Sequence, residues 1–166
     1  MKKYLLLLLF SLIFLVYSHG QNESGKYATF KGMLDGGFII IPNYSEKGLE
    51  ISGNFGFQFN RYLFLGAGIG CYKFFDIDNF FVPFYANFRI NPLKPKVAPF
   101  VDLKLGLVAN DLEAGYASAG GGIRIKNNKT PITFGMYYSV LFRGYYVGGT
   151  AGSHYDGLVL KLGVEF

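Results

Sequence analysis

The stretch Gly157–Phe166, GLVLKLGVEF, separates by parity into two unlike sets. Leu158, Leu160, Leu162, Val164 and Phe166 are all apolar. Gly157, Val159, Lys161, Gly163 and Glu165 mix glycine, one valine and both signs of charge. A period of two with unlike sets describes a β-strand whose faces meet different surroundings. One strand cannot stand alone, so the rest of the chain must supply partners of the same kind.

Seven further segments alternate in this way. Tyr27–Ile40 sets Phe30, Leu34, Phe38 and Ile40 against Thr29, Lys31, Met33 and Asp35. Leu49–Phe59 sets Leu49, Ile51, Phe55, Phe57 and Phe59 against Glu50, Ser52, Asn54 and Gln58. Tyr62–Phe74 sets Leu63, Leu65, Ile69 and Cys71 against Tyr62, Phe64, Tyr72 and three glycines. In Phe80–Ile90, Phe80, Phe84 and Phe88 oppose Phe81, Tyr85, Asn87 and Arg89. Val97–Ala109 opposes Val101, Leu103, Leu105 and Leu107 to Asp102 and Lys104. Tyr116–Lys126 opposes Ala117, Ala119, Ile123 and Ile125 to Ser118, Arg124 and Lys126. Pro131–Arg143 opposes Ile132, Phe134, Met136 and Phe142 to Thr133, Tyr137, Ser139 and Arg143. With 10 to 14 residues, each segment is long enough for a tilted membrane-spanning strand, which needs about 9–11.

The segments between them carry Gly, Pro, Asn and Asp and read as turns or loops. Those after the second, fourth and sixth strands are compact. Those after the first, fifth and seventh, at Ile41–Gly48, Asn110–Gly115 and Gly144–Ser153, are expected to be longer. The one after the third, Asp76–Asn79, is short. An even strand number puts both chain ends on the side of the compact turns, which in bacterial barrels is periplasmic.

The chain begins MKKYLLLLLFSLIFLVYSHG. Two lysines, a short apolar run and small residues before Gln21 are the layout of a cleavable signal peptide, expected to end at Gly20. That run falls short of the roughly 20 residues of a transmembrane helix. The expected organisation is residues 1–20 signal peptide, 21–26 polar leader and 27–166 a single β domain. Loss of Lys2 and Lys3 leaves 14 basic against 11 acidic residues, too mild an excess for nucleic-acid binding. The single Cys71 excludes an intramolecular disulfide.

Alternation alone leaves open whether the apolar faces point outward to lipid or inward to a soluble, lipocalin-like core. Three features favour lipid. None of the eight apolar faces carries a charge, as hydrocarbon demands. The opposite faces, rich in glycine and tyrosine, make poor solvent surfaces. Aromatic residues gather at the strand ends, as interfacial girdles do. Phe59, Tyr62, Phe88 and Phe166 would form one girdle. Phe38, Phe74, Phe75, Phe80, Phe81, Phe142, Tyr145 and Tyr146 would form the other. In lipid every backbone group needs an internal partner, so the first and last strands must pair.

With the signal layout, the eight alternating strands and the terminal Phe166 in hand, the chain resembles the small eight-stranded outer-membrane β-barrel family, which includes the OmpA transmembrane domain and OmpX. The resemblance implies an all-β, eight-stranded antiparallel up-and-down transmembrane barrel in the cell outer membrane. It also implies that Leu158, Leu160, Leu162, Val164 and Phe166 form the C-terminal insertion signal. Partners would then be membrane lipid, lipopolysaccharide, and the insertion machinery and periplasmic chaperones during biogenesis, with the protein itself monomeric.

The inward charges, Lys31, Asp35, Glu50, Arg89, Asp102, Lys104, Arg124, Lys161 and Glu165, with Lys126 and Arg143, are expected to fill the lumen. Eight strands leave room only for side chains, and buried charges must find partners. Asp102, Lys104 and Lys161 are expected to share one mid-depth network. A narrow ion path is the alternative. The glycines of residues 66–70 and 119–123 lack the strand-to-helix setting of a phosphate loop. His154 stands beside Ser153 near the outer rim. Adjacent strand residues point to opposite faces, so the pair is poorly placed for nucleophilic catalysis. Asp76 and Asp78 lack the calcium-loop pattern. No enzymatic activity, cofactor or metal is expected; the role expected is structural or interaction-based, with a narrow pore and then a lipid A-modifying enzyme as the alternatives.

Overall fold

The computed structural model describes residues 28–42, 46–59, 62–75, 80–91, 96–109, 111–126, 130–143 and 154–166. The expected signal peptide and leader lie outside them, as do Asp76, Asp78, Tyr145, Tyr146 and Ser153. So do the side chains of Arg143 and His154.

Nine strand segments follow one another: β1 (Thr29–Ile41), β2 (Glu46–Gln58), β3 (Leu63–Phe74), β4 (Phe80–Phe81), β5 (Pro83–Ile90), β6 (Val97–Val108), β7 (Asp111–Ile125), β8 (Ile132–Arg143) and β9 (His154–Glu165). β4 and β5 are one stave interrupted at Val82, beside the proline that cannot donate to the ladder. Both halves pair with β3, and the Ala109 N–H donates to Val82 O at 2.7 Å across the break. The staves number eight, all antiparallel, each bonded to its sequence neighbours.

The ring closes where β1 meets β9, from Met33 opposite Glu165 to Ile40 opposite Leu158. Gly32 and Phe166 extend this seam by exchanging backbone hydrogen bonds at 2.8 and 2.9 Å. Closure removes both sheet edges and thereby pairs the whole ladder. At Gly32 a Cβ would lie 2.6 Å from Cζ of the Phe166 ring. Glycine there lets the ring lie across the strand, edge-on to Phe55 at 6.4 Å.

Parity sorts side chains between wall and lumen as the alternation requires. Ile51, Leu162 and Phe166 are 65%, 61% and 67% exposed, while Arg89 and Lys104 are 1% and 0% exposed. This inverts the arrangement of a water-soluble protein and removes the lipocalin-like reading. The apolar sets face outward.

Three sequence expectations need correction. First, the connections after the first and fifth predicted strands are short. β1 and β2 stay paired up to Ile41 opposite Glu46, and β7 begins at Asp111, with a register shift beside Val108. Turn-forming residues there shorten the loop rather than ending the ladder early. Second, the apolar faces are not free of charge at this end: Lys73 lies within the third predicted strand, and the lengthened β2 and β9 add Lys47 and Asp156. Lys47 and Lys73 are exposed on the outward parity, and Asp156 takes that parity on β9, where Tyr138 OH donates to it at 2.5 Å. Third, Phe74 and Phe81 do not belong to the outer girdle. Phe74 shares parity with Tyr72 and is buried; Phe81 packs against it inside, ring centroids 5.9 Å apart.

Candidate functional site

Among the described residues the lumen is where the fold gathers polar and charged side chains from every stave. The ends differ. At the turn end β2 leads to β3, β5 to β6 and β7 to β8; at the loop end β1 leads to β2, β3 to β4, β6 to β7 and β8 to β9.

Near the turn end a branched ionic group crosses the lumen. The Arg89 guanidinium meets Asp102 Oδ2 at 2.8 Å and Glu165 Oε1 at 3.4 Å. Arg124 Nε donates to Glu165 Oε2 at 2.6 Å, and Lys31 reaches the same carboxylate at 4.0 Å and Gln58 Oε1 at 3.4 Å. Tyr137 OH donates to Asp102 at 3.0 Å. The Phe100 ring lies 4.4 Å below the Arg89 carbon, so the planar cation is held by stacking as well as by carboxylates.

At mid-depth the charges are divided. Lys161 Nζ donates to Glu50 Oε1 at 2.5 Å. Lys104 Nζ stands 3.9 Å from Asp35, whose carboxylate accepts from Asn54 at 3.1 Å; Asn54 in turn accepts from Asn87 at 3.0 Å. Lys104 Nζ makes no hydrogen bond among the described residues. Its charge instead faces the rings of Tyr85 at 5.0 Å and Tyr137 at 5.5 Å. Lys161 lies over the Tyr137 ring at 4.6 Å. Asp102, Lys104 and Lys161 therefore sit in three separate ion pairs. Their common neighbour is a tyrosine ring, which packs over Gly120, where a Cβ would lie 2.5 Å from it.

Toward the loop end the lumen turns apolar. Tyr72 and Tyr116 share a hydroxyl hydrogen bond of 2.6 Å. Beyond them Ile39, Ile41, Phe74, Val108, Leu141 and Val159 are buried together. Parity marks these positions as inward except Ile41, which the sequence assigns to a loop, but a search for charged residues alone passes over them. Asn54, Asn87, Tyr85 and Tyr137, which connect the charged residues, were missed in the same way.

Of the expected lumen residues, Lys31, Asp35, Glu50, Arg89, Asp102, Lys104, Arg124, Lys161 and Glu165 all lie inside the ring in ion pairs. Lys126, beyond the end of β7, is exposed. The outward set Leu158, Leu160, Leu162, Val164 and Phe166 lines the wall beside the closing seam. Among the described residues no group of three or more His, Cys, Asp or Glu could hold a metal ion. No water-sized space touches Asn54, Phe64, Asn87 or Lys104, each 0% exposed.

Among solved structures the chain superposes on Neisserial surface protein A with a TM-score of 0.63 and 15% identity, covering 84% of this chain and 98% of that one. The fold is that of a small outer-membrane β-barrel. A designed transmembrane β-barrel also aligns, at a TM-score of 0.49 and 13% identity, over 87% of this chain and 100% of that one. No protein-family model matches the chain, and no curated protein matches it in sequence.

Proposed function

We propose that the protein is an integral outer-membrane protein with a structural or interaction role in the bacterial envelope. Its lumen serves as a fixed plug, and its contacts with lipid and partners are made by the wall and the rim. The observation that carries this reading is the full enclosure of Arg89, Lys104 and their counter-ions inside a ring whose outer face is apolar. Charges enclosed in this way are matched by counter-ions inside the ring, whereas a conducting path would leave its charges in water. In this reading the outward face of β9 is what the insertion machinery meets, lipid and lipopolysaccharide surround the wall, and the barrel works as a monomer without cofactor or reaction.

The test is single-channel recording of the purified full-length protein in planar bilayers. The expected result is a baseline without steady steps. A stable, ohmic conductance in every active bilayer would refute the plug and establish the narrow-pore alternative. Heat-modifiable migration of the protein in outer-membrane fractions checks the location independently.

A further inference from the structure

At the turn-end mouth of the lumen cations outnumber carboxylates. Lys96 and Lys126 stand opposite each other where the β6–β7 ladder ends, one step beyond Val97 and Ile125, and the Lys126 N–H donates to Lys96 O at 2.7 Å. Side chains so placed start about 5 Å apart, and like charges there repel. Both continue the inward parity, Lys96 with Ala98 and Phe100 and Lys126 with Arg124, and both are exposed. Neither lysine enters an ion pair among the described residues.

Two more cations face the same opening. Arg124 and Lys31 both reach Glu165 Oε2, at 2.6 and 4.0 Å, with side chains 19% and 27% exposed. Lys126 stands close enough to repel the Lys31 ammonium. Glu165 is also shared with Arg89, whose other partner is Asp102. Among the described residues five cations thus draw on two carboxylates at this end. Arg124 bonds there through Nε alone, which leaves the four N–H donors of its terminal fork. The sequence carries the same bias. The stretches joining staves at this end, 59–62, 91–96 and 126–131, hold five Lys or Arg and no Asp or Glu. Residues 42–46, 75–80, 109–114 and 144–153 hold five Asp or Glu and no Lys or Arg.

The geometry points to a phosphate-binding site at the turn-end mouth, formed by Lys96, Lys126, Arg124 and Lys31. Its ligand is a phosphate group carried by a water-borne solute. Inward parity turns the four cations toward the axis and away from lipid, so the group arrives from water rather than from a surrounding leaflet. A phosphate has the charge and the oxygens to meet two ammonium groups and an arginine fork at once. A carboxylate, with one charge and two oxygens, leaves part of the set unmet. The site rests on the plug proposed above, which stops the ligand at the mouth.

Full-length protein is reconstituted in nanodiscs of phosphatidylcholine and titrated with inorganic pyrophosphate by isothermal calorimetry. The expected result is one saturable site that weakens as salt rises. Lys96→Gln with Lys126→Gln should weaken binding about tenfold, as for two exposed ion pairs, and Lys96→Arg with Lys126→Arg should keep it. Both positions are exposed beyond the ladder, so these variants should fold, which heat-modifiable migration checks. Lys47→Gln with Lys73→Gln removes the same charge at the loop end and should leave binding unchanged. No saturable binding by the wild type, or equal affinity in the turn-end glutamine pair, overturns the site. An equal loss in the loop-end pair also overturns it, because net charge alone would then account for binding. In a second arm the discs contain phosphatidylglycerol, and lipid retained on the ejected barrel is counted by native mass spectrometry. Phosphatidylglycerol held by the wild type and lost from the turn-end glutamine pair overturns the water-borne source. Steady conductance in planar bilayers overturns the plug and the site with it; absence of binding in a protein that does not conduct overturns the site alone.

Discussion

The Lys161–Glu50 pair gives the sharpest measure of what the lumen is. The two atoms lie 2.5 Å apart, with side chains 2% and 0% exposed. At an effective dielectric of about 20 their gross attraction is about 7 kcal/mol, set against a desolvation cost of several kcal/mol for each ion. The pair as a whole is then close to neutral relative to an apolar replacement, but either partner alone is an uncompensated buried charge. Glu50→Gln should destabilise the barrel by about 3–5 kcal/mol. It leaves Lys161 and Lys104 as two ammonium groups facing one tyrosine ring. Lys161→Met should cost a similar amount. The double variant Glu50→Gln with Lys161→Met should recover most of either loss. The assay is a urea titration of the folded fraction in phospholipid bilayers, read by heat-modifiable migration and assembled into a double-mutant cycle. If water filled the lumen, each single variant would lose only about 0–1 kcal/mol and the two would add. That outcome would refute the plug.

Three other perturbations follow from the same geometry. Gly32→Val pushes a side chain into the Phe166 ring and should cost about 1–3 kcal/mol, with the ring's displacement visible as altered aromatic NMR shifts at Phe55 and Phe166. Leu105→Arg, on a wall residue 54% exposed, should cost about 2–4 kcal/mol in bilayers, where a water-facing site would tolerate it; the same urea titration reads it. Tyr72→Phe removes a buried 2.6 Å hydrogen bond and should cost about 1 kcal/mol, with Tyr116→Phe adding less on top than alone.

Period-two alternation is enough to count the staves and to divide the residues between two faces, because a one-residue slip would exchange them. It groups Leu158, Leu160 and Leu162 on one face and Asp102 and Lys104 on the other, and the composition of the two faces, not the period, points the apolar one toward lipid. It failed where a second cue overrode it. Phe74 and Phe81 were drawn to the girdle by their aromatic character at strand ends, although parity pointed inward. The segments 46–48 and 111–115 were read as loop from their turn-forming residues, yet backbone pairing carries the ladder through them. Partner choice was not legible at all. Lys161 finds Glu50 from 111 residues away and Arg89 finds Asp102 from 13, because strand tilt and stagger decide which inward positions share a level. The network residues Asn54, Asn87 and Tyr137 carry no charge and give no sequence signal beyond parity.

The uneven filling of the lumen bears on how such a barrel reaches its final position. If the barrel inserts from the side of its compact turns, as the proposed location implies, its loop end is the part that crosses the hydrocarbon. Ile39, Ile41, Phe74, Leu141 and Val159 occupy that leading half. Arg89, Arg124, Glu165 and Lys31 occupy the trailing half and have no need to cross the midplane. Moving an ion into hydrocarbon costs several kcal/mol whether or not it is later paired. For the inward side chains this polarity order would lower the barrier to such a passage, while Lys47, Lys73 and Asp156 on the wall would still have to cross. The ion pairs of Arg89 and Arg124 with Glu165 would then form last, at the side of entry.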